Sequence, residues 1–412
     1  MKMTPPAHND HRKWELLAWL FATFFLYYGD RAIFGVLLGA MAGSLQLSPR
    51  ELGLSNTLML GAIALLMPLA GYVGDNLNRK WAIVFSLTAW SLGTVLTGAS
   101  VGLVSLILFR SLLTGCGESF YTPAAYSLLA ERHRESRGRA MAIHQAALYF
   151  GVITSGVAGG WVAAQWGWRW AFFVFGGAGL LLAALLAWRL ESDAPRTSRR
   201  GVLDAVRAGL AALAGNPAAR VFCLCFAVIV CIVNAYITWA PRLLETKYGL
   251  TARAAGAQAM TGHHVAALLA VIAGGYLSDR LARRWPGARV ALMLAAMIAI
   301  TPCLWWLGSA DGFWSVSAAM VVLGLARGAY ECNTHVSLFD AVPAELRAVV
   351  VSVFAMIALL VGSTTPWVFG WLAEVYGVVD GLSLGFKCLA GLAALAAVAL
   401  AHVLLTSRRL PQ

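Results

Sequence analysis

The chain is a succession of apolar runs, each about as long as a bilayer is thick, with short polar connections between them. A hydrocarbon core of roughly 30 Å takes about 20 apolar residues of helix to cross. Runs of that size begin near Trp14, Leu52, Trp81, Val101, Ala140 and Trp168, and again near Arg220, Ala254, Val290, Gly312, Ala348 and Gly381. In lipid every backbone N–H and C=O must find a partner within the protein, and a run of this length does so as a helix. The expected fold is therefore an all-α membrane protein with twelve spanning helices. These use nearly all of the 412 residues and leave no room for a separate soluble domain. Hydrophobic residues make up 60% of the chain and charged ones only 12%, about half the charged share of a soluble domain. The first run is too long for a cleaved signal peptide and has no small-residue cleavage site, so it reads as a retained span.

A net charge of +12 raises the question of nucleic acid, and its placement answers it. With the amino terminus on the cytoplasmic side, 22 of the 31 Lys and Arg fall in cytoplasmic segments, five in outer loops and four (Arg31, Arg110, Arg327, Lys387) within spans. This is the positive-inside distribution, with both termini cytoplasmic. A bilayer accounts for the charge, and no nucleic-acid partner is needed. The seven Cys show no metal-ligand spacing and read as buried structural thiols.

The longest polar segment divides the runs six and six. The expected organisation is a bundle over 1–190, a cytoplasmic linker over 191–219 and a second bundle over 220–412. A duplicated motif supports the division. Gly71-Tyr72-Val73-Gly74-Asp75-Asn76-Leu77-Asn78-Arg79-Lys80 follows the second run, and Gly275-Tyr276-Leu277-Ser278-Asp279-Arg280-Leu281-Ala282-Arg283-Arg284 follows the eighth. Both read G-Y-x-x-D-x-L-x-R-[KR] at an offset of 204 residues, which makes the halves parallel repeats.

At these residues the chain resembles the major facilitator superfamily, whose signature loop between the second and third helices has this form. Arg137-Gly138-Arg139-Ala140 entering the fifth run and Gly167-Trp168-Arg169-Trp170-Ala171-Phe172-Phe173 entering the sixth add to the likeness. Tyr28-Gly29-Asp30-Arg31, Gly115-Cys116-Gly117-Glu118 and Trp239-Ala240-Pro241-Arg242-Leu243-Leu244 resemble the anion:cation symporter branch, with the spinster-like branch next. The resemblance implies secondary active transport of a small organic anion such as a sugar acid, coupled to protons. Two departures stand out. Gly156-Val157 replaces the Gly-Pro of antiporter-type fifth helices. Arg110 precedes Glu118 by eight residues where seven is usual in the related branches. One residue is about 100° of helix rotation, so Arg110 keeps the family's direction only if a local bulge intervenes.

Ionisable groups at membrane depth are the sharpest functional signal. Each costs roughly 2.5–3.5 kcal/mol on insertion scales, so one normally faces a cavity or a partner. Asp30 and Arg31 lie beyond the middle of the first run, next to Tyr27. Asp30 reads as a protonation site and Arg31 as the anchor for a substrate carboxylate, or the two serve a structural ion pair. Glu118, among small residues and followed by Tyr121, reads as a proton carrier coupled to Arg31, or as a neutral hydrogen-bonded group. Arg327, Glu331 and His335 form a stripe at four-residue spacing on the tenth run, either a substrate contact with Glu331 exchanging a proton, or a self-satisfied network. Asn234 and Trp239 suit a polar-aromatic substrate wall on the seventh run, and Tyr27 and Tyr121 are expected to contact the substrate with them. His144 and His264 read first as packed, hydrogen-bonded residues. Asp75, Arg79, Lys80, Arg139, Asp279 and Arg283 read as gates on the cytoplasmic side, with Arg79 and Lys80 pairing to an acid such as Glu131.

The sequence shows no phosphate-binding loop, nucleophile motif or metal cluster, so the expectation is a transporter and not an enzyme, without a cofactor other than coupling protons. It is expected as a monomer in the inner membrane, multi-pass, with a small anionic substrate and the bilayer as partners. A spinster-like carrier of lysolipids or amphiphiles, or a non-transporting membrane sensor with the same fold, are the alternatives.

Overall fold

A computed structural model describes residues 8–76, 78–192, 201–285, 287–343 and 346–407. Twelve helices among these are long and apolar enough to cross a membrane. They are α1 (His11–Leu45), α2 (Pro49–Val73), α3 (Arg79–Gly98), α4 (Leu103–Arg132), α5 (Arg137–Trp166) and α6 (Trp168–Arg189). The second set is α7 (Pro217–Tyr248), α8 (Ala252–Ala282), α9 (Ala288–Ser309), α10 (Phe313–Ala341), α11 (Val349–Tyr376) and α12 (Val378–Thr406). Large apolar side chains such as Leu65, Phe85, Val104, Leu269 and Leu395 stand exposed around the outside. That would be an aggregation liability in water and is the ordinary surface of a protein in lipid.

The duplication written in the loop motif is repeated in the packing. In the first bundle α1 packs on α5, α2 on α4 and α3 on α6; in the second α7 packs on α11, α8 on α10 and α9 on α12. The bundles meet through α2 against α11, α5 against α8, and α1 against α7. The polar segment between them is not all loop: a helix over Val202–Gly215 packs on α11, with Gly209 against Val349 and Val353.

With six spans in each bundle, the start of α1, the end of α6, the start of α7 and the end of α12 lie on one face of the protein, called here the terminal side, where Arg12 meets Glu191. On the opposite side the bundles are in backbone contact. A Cβ on Gly35 of α1 would fall on the carbonyl of Ile237 of α7, and one on Gly53 of α2 on the carbonyl of Pro366 of α11. Only glycine permits such an approach, the small-residue packing by which membrane helices associate. Polar bonds complete the seal: Asn56 Nδ2 donates to Thr238 Oγ1 at 2.8 Å, and the Trp367 amide donates to Thr57 Oγ1 at 3.1 Å. The structure is thus closed on that side, and the space between the bundles lies from mid-depth toward the terminal side.

Candidate functional site

The space between the bundles is a cavity of about 280 Å³. This is near the small end of pockets that hold small molecules. Its charged residues come from one helix in each bundle: Arg31 on α1, and Arg327 with Glu331 on α10. Tyr27, Tyr28 and Asn234 line it too. The facing wall, from α2, α7 and α11, is mostly apolar and includes Met59, Leu60, Ile63, Phe226, Val230 and Leu359.

In the first bundle the ionisable residues form two cross-helix pairs. Arg31 Nε donates to Glu118 Oε2 at 2.6 Å, and Arg31 Nη2 donates to the Tyr27 hydroxyl at 2.5 Å. The guanidinium also lies over the rings of Tyr27 and Tyr28, at 4.5 and 5.5 Å. Glu118 is fully buried and is not itself in the cavity wall, so it meets the cavity through Arg31. Behind this pair Arg110 Nη1 donates to Asp30 Oδ2 at 2.8 Å, and its Nη2 to the Asp30 carbonyl at 3.1 Å. Each carboxylate uses one oxygen on an arginine. Asp30 Oδ1 and Glu118 Oε1 are buried without a hydrogen-bond partner, which leaves each an open place for a proton.

Arg110 reaches Asp30 because α4 is not a uniform α-helix. Residues Ile107–Thr114 are π-helical and hold one residue more than the same length of α-helix. That extra residue absorbs the eight-residue spacing to Glu118. The bulge on which Arg110's direction depends is present, and Arg110 faces α1. A second π-helical stretch, Ser155–Gly159, sits in α5 where the antiporter-type Gly-Pro is missing.

The second bundle is built differently. Arg327 Nε stands 3.4 Å from Glu331 Oε1, four residues on along the same helix. The contact is too loose to count as a hydrogen bond, and Nε is buried without another partner. Glu331 instead accepts a bond from the Tyr149 hydroxyl at 3.2 Å, across the bundle interface from α5. Its side chain is 28% exposed, toward the cavity. His264 borders the cavity and donates from Nδ1 to the Met260 carbonyl at 2.9 Å, which leaves its Nε2 an acceptor.

Several expected site residues lie elsewhere. Trp239 is fully buried, and its indole donates to the Pro366 carbonyl at 3.1 Å, so it braces α7 against α11 and does not face the cavity. Tyr121 is also fully buried: its hydroxyl bonds the Leu20 carbonyl at 2.8 Å and His144 Nε2 at 2.9 Å, and its ring packs behind Tyr27. His144 stacks on Phe24 at 4.3 Å, a packed histidine. His335 is exposed and lies edge-on to Phe226 and tilted toward Phe354, outside the enclosed cavity.

On the terminal side, Arg79 Nη2 pairs with Glu131 Oε2 at 2.8 Å and Nη1 bonds Ser127 at 3.1 Å, tying the first signature loop to the end of α4. Lys80 lies over Trp81, and Arg139 over Trp14. The side chain of Asp75 lies outside the described residues. In the second repeat the expected counterpart of Arg79, Arg283, is exposed, and Arg289 takes its part. Arg289 pairs with Asp279 at 3.0 Å and with Asp340 at the end of α10 at 3.3 Å. Arg289 and Asp340 were not singled out in the sequence because both lie outside the duplicated motif.

Two bundles of six helices related by an internal repeat, around a charged cavity at mid-depth that is sealed on one side, are the architecture of a membrane transporter. Residues 20–366 match the major facilitator superfamily, and the chain belongs to it. It is accordingly a multi-pass integral membrane protein of a transporter family, not an enzyme. The chain is 24% identical over 413 residues to the D-galactonate transporter of Escherichia coli O6:H1, covering 91% of this chain and 93% of that one. It is 31% identical over 138 residues to a multidrug resistance protein B homolog of Mycobacterium tuberculosis, a match that takes in 33% of this chain but spans only 25% of that relative's length. Among solved structures it is similar to a bacterial homolog of the human lysosomal transporter spinster in an inward-facing, unoccupied conformation. The TM-score is 0.82 at 19% identity, over 96% of this chain and 97% of that one.

Proposed function

We propose that the protein is a proton-coupled symporter of a small organic anion, a sugar acid or related carboxylate, working by alternating access. The observation that carries this reading is the contact of Arg31 with both the cavity and the buried Glu118. A substrate carboxylate arriving at Arg31 competes with Glu118 for the same guanidinium. If it wins, Glu118 is left as a buried carboxylate without its counter-charge, which costs several kcal/mol. Protonation of Glu118 removes that cost, so anion and proton enter the closed cavity together. Linkage makes the effect reciprocal: acidification tightens the anion, and the anion raises proton affinity. Asp30 holds Arg110 away from the cavity and fixes the position of Arg31 next to it.

The full-length likeness to a D-galactonate transporter supports the anionic substrate. The apolar wall of α2, α7 and α11 supports a second reading, movement of an amphiphilic anion whose tail lies on that wall. Proteoliposome uptake driven by an imposed proton gradient tests both, with sugar acids, short carboxylates, neutral sugars and lysolipids as probes. Uptake of a sugar acid that Arg31→Gln abolishes is the expected result. Movement of lysolipid alone establishes the second reading, and movement of neutral sugars alone contradicts both.

A further inference from the structure

Arg31 and Glu118 account for one carboxylate and one proton, yet the cavity holds a second cation–carboxylate pair that this scheme does not use. Arg327 and Glu331 enter the wall from the opposite bundle. Both pairs are neutral as units, so the empty cavity has no net charge from these four residues. Both also meet one cavity: Tyr28, Arg31, Arg327 and Glu331 all line it, and Glu118 reaches it through Arg31. They are therefore two walls of one site and not two sites. The second pair is the more readily opened. Its Nε–Oε1 separation is 3.4 Å against 2.6 Å for Arg31 and Glu118, and Arg327 Nε is buried with no hydrogen-bond partner. An unsatisfied buried guanidinium donor beside a cavity is a place for an anionic acceptor.

We infer that Arg327 and Glu331 form a second carboxylate subsite with its own proton, so that the substrate which fills this cavity is a small dianion bridging Arg31 and Arg327. This rests on the symport reading and extends it. As the second carboxylate takes Arg327, Glu331 loses its counter-charge and takes up a proton, as Glu118 does at the first. The titratable groups facing this pair are Tyr28 on α1, Tyr149 on α5, Tyr236 on α7, His263 and His264 on α8, and Cys332 on α10 itself. None of them carries a negative charge at neutral pH that would replace Glu331 beside Arg327. The charges balance: a dianion enters with two protons, one on Glu118 and one on Glu331, and a turnover moves no net charge. Bridging the bundles also gives the substrate a hold on both halves, as closure around it requires.

The test compares linear six-carbon polyhydroxy acids with one and with two carboxylates (gluconate and glucarate) in proteoliposomes of the full chain, measuring uptake and charge movement together. Wild type is expected to favour the dicarboxylate and to carry it without net charge. Arg327→Gln should raise the dicarboxylate KM relative to that of the monocarboxylate by about tenfold or more, the size of one charged hydrogen bond, and Arg327→Lys should recover part of it. Glu331→Gln is close in shape and keeps the inference testable where Arg327→Gln fails to fold. With one proton site lost, each dicarboxylate should bring one net negative charge inward, so that uptake slows under an inside-negative potential. A purely structural Glu331 would not change the charge per turnover. Gluconate transport with the KM ratio unmoved in both Arg327 variants, or electroneutral uptake in Glu331→Gln, overturns the second subsite and leaves the symport reading standing. No uptake of either acid overturns both.

Discussion

The two bundles hold their membrane-buried charges in different ways. In the first, both ion pairs cross between helices: Arg31 on α1 with Glu118 on α4, and Arg110 on α4 with Asp30 on α1. In the second, Arg327 and Glu331 lie one turn apart on α10, and Glu331 accepts a bond from Tyr149 of the opposite bundle. A cross-helix pair ties two helices together, and opening it leaves a buried charge unless a proton or a substrate anion replaces the lost partner. An intrahelical pair can exchange partners while the backbone stays in place. Arg110 and Asp30, behind the cavity, are therefore the charge-locked frame of the first bundle, while Arg31 at the cavity and the intrahelical pair of the second bundle are the groups that a substrate can rearrange. On the terminal side both repeats pair across helices, and the difference is one of position: Arg79 repeats as Arg283 in sequence but as Arg289 in space.

The largest test of this difference is Arg110→Ala. It leaves Asp30 buried without a counter-charge, and truncating one partner of such a pair costs about 3–5 kcal/mol. Thermal unfolding in detergent should show a marked loss of stability, and Asp30→Asn in the same chain should restore part of it. Stability near wild type in the single variant contradicts the idea of a charge-locked frame. Glu118→Gln comes next: shape is kept, so the protein should fold and exchange anion across the membrane, but it should not accumulate a monocarboxylate against its gradient. Accumulation driven by protons in this variant moves the coupling elsewhere. Arg79→Ala removes a pair whose Glu131 side chain is 30% exposed, so its effect on stability is about 1 kcal/mol or less. It should show instead as a shift in the accessibility of a terminal-side cysteine reporter. The smallest effect on transport is expected from Tyr149→Phe, which deletes one cross-bundle hydrogen bond. It should raise turnover or leave it unchanged while substrate affinity falls less than in Arg327→Gln.

Much of this was legible in the chain. Twelve runs of bilayer length, a basic bias to one side and a loop written twice determine the fold, because lipid permits few alternatives. Arg31, Glu118, Arg327 and Glu331 stood out since a charge at that depth must have a reason. What sequence could not supply was direction around the helix axis and partnership across helices. Trp239 and Tyr121 are polar aromatics at mid-depth, as a binding wall needs, and both turn into the packing instead. The odd spacing of Arg110 pointed to a bulge but could not show one; the π-helical stretch from Ile107 to Thr114 does. Arg289 was missed because its partners, Asp279 and Asp340, are brought together only by the fold.

The central claim is that a substrate anion and Glu118 compete for one guanidinium, that of Arg31, so that anion and proton bind cooperatively. The most direct test is the affinity of the purified protein for a transported anion as a function of pH, in wild type and in Glu118→Gln. Affinity in wild type should tighten as pH falls, and the slope should flatten in the variant while binding persists. An unchanged slope in Glu118→Gln, or no slope in wild type, contradicts it.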